Sequence, residues 1–79
     1  MIYPYSLSNN LLKEVLFQME VKFVFTNEIR KANLIIGLKK HLKQNFKLVH
    51  LAKQKEIPIY SLHDVSFYQV SKLVQLLYL

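Results

Sequence analysis

The residues best equipped for chemistry are cations. Lys39, Lys40, Lys43, Lys47, Lys53 and Lys55 follow one another with no acidic residue among them, in a chain whose formal net charge is +6. Lys39, Lys43 and Lys47 recur every fourth residue, so one continuous helix would stack them along a single stripe, with His50 a short step further on. A phosphate backbone is the natural counterpart of such a stripe, and contacts of this kind are sequence-independent and salt-sensitive. Lys39, Lys40, Lys43, Lys47 and Lys53 are therefore the candidate nucleic-acid contacts. The same pattern also describes a solvated helix face that keeps a small apolar domain in solution.

Other chemistries find fewer parts. His41, His50 and His63 are scattered without a metal-ligand spacing. His63 and Asp64 are neighbours in sequence, but a base and its orienting carboxylate must meet in space, and a hydrolytic site also needs a nucleophile and an oxyanion hole. The absence of cysteine removes a disulfide framework, a thiolate metal cluster and a thiol nucleophile together. Gly37 is the single glycine, which leaves no dinucleotide or Walker-type phosphate cradle. No catalytic residue, metal ligand or cofactor is expected.

A second group of candidates comes from position. The order of elements predicts a parallel sheet, and ligands of open α/β sheets bind beyond the carboxyl ends of the strands. That rim gathers Ser6, Ser8, Asn9, Thr26, Asn27, Gly37, Lys39, Lys40, His63, Asp64 and Ser66. Backbone N–H groups where the helix starts at Asn9 could hold an anion, although capping and turn formation account for most of these residue types. A third group is apolar. The last helix turns Val70, Leu73, Val74 and Leu77 inward, which leaves Leu76, Tyr78 and Leu79 partly off the stripe with no charge after Lys72. Such a surface suits a partner or a second copy of the chain. The remaining aromatics are mostly core by period, with Tyr68 and Tyr78 free to face outward.

The elements that must position these groups follow from periodicity. Seventy-nine residues, 52% of them hydrophobic, make one α/β domain over 1–79, which at this length buries only about 60% of its unfolded surface. Ile2 to Leu7 is β-like, Pro4 being tolerable only near a strand start or edge. Ser8-Asn9-Asn10 caps a helix whose face is Leu11, Leu12, Val15, Leu16 and Met19. Val21 to Phe25 reads as a second strand, Glu28 to Ala32 as one helical turn, and Leu34-Ile35-Ile36 as a strand buried on both faces. His41 to Glu56 reads as the longest helix, with Leu42, Phe46, Val49 and Ala52 inward and Leu48 and Leu51 widening the stripe. Ile57 to Leu62 is the last strand, and Asp64 or Ser66 caps the last helix. The expected fold is a small four-stranded, mostly parallel sheet with helices on both faces, in strand order 2-1-3-4. The short Asn27–Asn33 connection strains that order, because a crossover usually takes a dozen or more residues. No uncharged run is long enough to span a bilayer, and the first residues do not have the pattern of a secretory leader.

The strings Ile-Tyr-Pro-Tyr-Ser-Leu-Ser (2–8), Lys-Ala-Asn-Leu-Ile-Ile-Gly-Leu-Lys (31–39), Ile-Pro-Ile-Tyr-Ser-Leu (57–62) and Tyr-Gln-Val-Ser-Lys-Leu (68–73) carry a family likeness. In order and spacing they resemble a C-terminal region of the plastid and cyanobacterial family called hypothetical chloroplast open reading frame forty-five, from Ile2 to about Leu77. The resemblance implies a soluble plastid protein. In that family an AAA-type P-loop ATPase module is joined to this α/β segment, and many bacterial relatives add a nucleic-acid-binding module. By position, Lys39 matches the lysine after the family's third strand and Gln69 the glutamine of its last helix. Ser6 stands where the family usually has glycine, Asn9 where it has a basic residue, and Asp64-Val65-Ser66 where it has Ser-Asn-Thr. The ATPase motif itself is absent from this chain. Residues and resemblance together predict a non-catalytic accessory domain that contacts nucleic acid or a nucleoprotein through its lysines. The alternative is a protein-interaction or oligomerisation domain that docks through its C-terminal helix.

Overall fold

The run Leu34-Ile35-Ile36 becomes the centre of the molecule. In the computed structural model, which describes residues 1–7, 9–20, 22–64 and 66–78 (Leu77 and Tyr78 by backbone only), β2 (Leu34–Leu38) is flanked on both sides. Its neighbours are β1 (Ile2–Tyr5) and β3 (Ile59–Leu62), both parallel to it, with Ile2 opposite Leu34 and Ile35 opposite Ile59. A strand paired on both edges and covered on both faces has no polar side to show. Leu34, Ile35, Ile36 and Gly37 are accordingly all buried.

Alternation along the strands sorts the core into two halves. On one face Ile2, Leu34, Ile36 and Leu62 pack beneath α1 (Asn9–Gln18) and α4 (Phe67–Tyr78), which contribute Leu12, Val15 and Leu16, and Val70, Leu73 and Val74. On the other, Ile35, with Tyr3, Tyr5, Ile57 and Ile59 around it, packs beneath α2 (Lys39–Leu42) and α3 (Phe46–Gln54) through Leu42, Leu48 and Ala52. The α/β class with helices on both faces is as the sequence predicts.

The sheet has three strands among the described residues, not the four expected. The segment read as a second strand makes one parallel bridge, Phe25 to Ile2, on the side of β1 away from β2. Ile2 N–H donates to the Val24 carbonyl at 2.8 Å, and Thr26 N–H donates to the Ile2 carbonyl at 2.9 Å. The ladder stops there for a covalent reason. Backbone groups alternate sides along a strand, so the next residue of β1 aimed at this segment is Pro4, which has no N–H to donate. Val21, where the strand was expected to begin, lies outside the described residues.

The helix expected over His41–Glu56 is two helices, α2 and α3, separated at Lys43 to Asn45. Asn45 leaves the helical region (φ −116°, ψ 79°) and its side-chain oxygen accepts from Leu48 N–H at 3.0 Å, which caps α3. β1 ends at Tyr5, because Ser6 turns the chain with φ 56°. The last strand starts at Ile59, two residues later than read. At the end of α3, Ile57 N–H reaches the Ala52 carbonyl at 2.9 Å and Glu56 N–H the Lys53 carbonyl at 3.2 Å. This paired C-terminal closure puts Glu56 in the left-handed region at φ 56°. The connection before β2 holds only a 3-10 turn, Ile29–Lys31, whose Ile29 packs on the α2–α3 face.

Candidate nucleic-acid interface

The lysine-rich segment begins where β2 ends. Leu38 is still extended, and Lys39 opens α2, a single turn closed by the Lys43 N–H on the Lys39 carbonyl at 3.0 Å. Asn45 ends the break between the helices and acts through both ends of its amide. The oxygen caps α3, and the nitrogen donates to the Tyr5 hydroxyl at 2.9 Å, so the start of α3 is tied to the end of β1. Phe46 is thereby the first residue of α3, and it is 80% exposed. This corrects its expected place on the inner stripe, which Leu48 and Ala52 occupy instead, with Val49 and Leu51 half-buried.

Beside this junction lies a groove of about 420 Å³. Lys39, Leu42 and Lys43 form one wall, Phe46 and Val49 of α3 the other, and Ile59 and Ser61 of β3 the floor. β3 is an edge strand, so the groove opens at the rim of the sheet.

The break at Asn45 dissolves the stripe expected from Lys39, Lys43 and Lys47. Lys39 and Lys43 border the groove, whereas Lys47 is about 200° round α3 from Val49 and belongs to the opposite flank. Lys53, seven residues after Phe46, returns to the same flank as Phe46 because seven residues make close to two turns. Lys40 is exposed on α2. The bordering set is thus Lys39 and Lys43, with Lys53 further along. None of these five lysines has a carboxylate within ion-pair distance among the described residues, where the recorded pair is Lys31–Glu28 at 2.9 Å.

The strand-end rim does not assemble into one site. Asn9, Thr26 and Asn27 line a pocket of about 230 Å³ with Tyr3, Pro4 and Phe25. The Thr26 hydroxyl is spent on a turn, accepting from Glu28 N–H at 3.1 Å and donating to its carbonyl at 3.4 Å. Gly37 is walled in, since a Cβ there would stand 3.1 Å from the Tyr5 carbonyl oxygen. Ser66 caps α4 by accepting from Gln69 N–H at 3.2 Å, while His63 and Asp64 are exposed. Ser8 and Val65 lie outside the described residues. His41 is half-buried with Nδ1 enclosed and unpartnered, and no metal-binding cluster of His, Asp or Glu occurs among the described residues. Among the candidate partner contacts, Leu76 is 77% exposed near the end of α4, and the Tyr78 side chain and Leu79 fall outside the described residues.

Two features escaped the sequence. One is the Tyr5–Asn45 tie, between residues forty positions apart. The Asn45 cap was legible as an asparagine three residues before Leu48. The other is a second apolar face at the far edge, where Phe17 is 84% exposed beside Val24 and Phe25, with Lys13 Nζ 5.8 Å from the Phe25 ring centroid. No helix is long and apolar enough to cross a membrane among the described residues.

A family model described as phosphotyrosine protein phosphatase matches residues 1–78. The chain is 32% identical over 71 residues to a protein of Porphyra purpurea called "Uncharacterized protein ycf45", a match that covers 90% of this chain. It spans 13% of that relative's length. That likeness supports the resemblance to the open-reading-frame-forty-five family. No solved structure matches.

Proposed function

The chain belongs to the phosphotyrosine protein phosphatase family, and we propose that it is a non-catalytic accessory domain of a plastid ATPase-family protein, contacting nucleic acid or a nucleoprotein through lysines of α2 and α3. A chain without cysteine has no thiolate to accept a phosphoryl group. His63 and Asp64, the remaining acid–base neighbours, are both exposed and make no hydrogen bond to each other among the described residues. The plastid ATPase setting is drawn from the sequence resemblance.

One observation carries the nucleic-acid reading. Lys39 and Lys43 border an apolar groove, Lys53 follows on the same flank as Phe46, and no acidic residue occurs between Glu28 and Glu56. A polyanion laid along this face meets cations without a competing carboxylate. Each neutralised phosphate contributes a slope of about −0.7 on single strands and about −0.9 on duplex DNA in the logarithm of affinity against that of salt, so three contacts give about −2 to −3. Fluorescence anisotropy with labelled single-stranded and duplex probes should therefore show affinity falling by at least about fifteenfold over a fourfold rise in salt. Flat or absent binding to both probes at low salt would reject the reading. A second reading, docking of a protein partner or another copy through α4, is favoured by the exposure of Leu76.

A further inference from the structure

We infer that the groove between α2, α3 and β3 takes single-stranded nucleic acid, with one base stacked on the ring of Phe46; this inference rests on the polyanion reading above. Lysines alone do not distinguish a duplex from a single strand, since both present phosphates. Phe46 and the groove do distinguish them. A duplex keeps the faces of its bases inside the stack, where no side chain from outside can cover them, whereas a single strand offers unstacked bases. A ring that is 80% exposed, next to an apolar groove and flanked in sequence by Lys43 and Lys47, is suited to the second.

The backbone that carries the ring is also held in place before any ligand arrives. Asn45 fixes the backbone at Phe46 through its cap on Leu48 N–H and its bond to the Tyr5 hydroxyl, so presenting the ring requires little further ordering. The groove, about 420 Å³, falls within the range of small-ligand pockets, roughly 300–1,000 Å³. Its walls offer a base edge little beyond the Ser61 hydroxyl and the two lysines, so binding should tolerate any sequence. Lys39 and Lys43 on one wall, with Lys53 two turns along α3, leave a path for the backbone across the mouth. The other exposed aromatic face, around Phe17, is less suited to this ligand, because Glu14 and Glu20 belong to the same helix or its end.

The test uses the whole chain and two labelled probes of equal length, a homopolymeric single strand and a blunt duplex. The single strand should bind more tightly. Phe46→Ala should weaken it by roughly fivefold to a hundredfold, the worth of one stacked base, while leaving duplex affinity and the salt slope unchanged. Phe46→Trp should restore it. Lys39→Ala and Lys43→Ala should weaken both probes and flatten the slope. Because Phe46 is largely in water, its truncation leaves the thermal transition in place, which a melt recorded on each variant verifies. If the lysine variants weaken binding and Phe46→Ala does not, the stacking inference is overturned and the polyanion reading stands. If neither probe binds at low salt, both are overturned.

Discussion

Asn45 holds the candidate site together, and replacing it gives a quantitative test of that view. Asn45→Ala removes the acceptor for Leu48 N–H, a helix cap worth about 0.5–2 kcal/mol. It also removes the donor to the Tyr5 hydroxyl, a part-buried bond worth about 0.5–1.5 kcal/mol. The two together predict a loss of about 2 kcal/mol, which in a domain of this size lowers the melting temperature by roughly 10 °C. Two further variants separate the contributions. Asn45→Ser keeps a capping oxygen and should lose only the bond to Tyr5, and Tyr5→Phe should lose the same bond from the other side. In a double-mutant cycle, Tyr5→Phe combined with Asn45→Ala should show a coupling of about 0.5–1.5 kcal/mol. Urea unfolding followed by circular dichroism, with the slope checked for constancy, measures the four variants against the parent. An Asn45→Ala protein as stable as the parent, or strictly additive single variants, would mean that α3 starts where it does for reasons other than this tie.

The packing sets three further outcomes. Gly37→Ala should cost about 1–3 kcal/mol in urea unfolding, because the new methyl would stand 3.1 Å from both the Tyr5 carbonyl oxygen and Leu42 Cγ; an unchanged midpoint would show that Leu42 yields freely. Glu56→Gly should raise stability by about 0.5–1 kcal/mol, the relief of a left-handed backbone at φ 56° less the added freedom of glycine in the unfolded chain. Leu76→Lys should leave folding within about ±0.5 kcal/mol, and sedimentation over a range of concentrations should show weaker self-association than in the parent. A monomeric parent indifferent to the change would remove the α4 docking reading.

The parts of this molecule that were legible in the sequence are those decided by local pattern. Leu12, Val15 and Leu16 on α1 and Val70, Leu73 and Val74 on α4 repeat at helical spacing and are buried as that spacing requires. The unbroken apolar run in β2 announced a strand covered on both faces. What failed was decided by single residues acting across the chain. Pro4 ends the pairing of Phe25 with β1, although the residues from Val21 to Phe25 are by composition good strand formers. Periodicity carried a helix through Asn45 because Leu42, Phe46, Val49 and Ala52 keep helical spacing on paper, while the asparagine side chain offered Leu48 a better partner. The candidate site shows the same division. The lysines were found by composition, but their regrouping around a groove with Phe46 depended on where α2 stops.

The central position of β2 also governs how the chain can fold. Neither of its pairings is local, since Ile2 meets Leu34 and Ile35 meets Ile59. Closing the two loops differs by only about 0.3 kcal/mol, so chain entropy does not choose between them. The choice falls to structure already present in each connection: the one toward β3 contains α2 and the capped α3, and the one toward β1 contains α1 and the single bridge to Phe25. During synthesis the first strand and the apolar stripe of α1 emerge well before their template. Until Leu34–Leu38 has appeared, Leu12, Val15 and Leu16 have no sheet to cover, and the nascent amino-terminal half carries that surface in water.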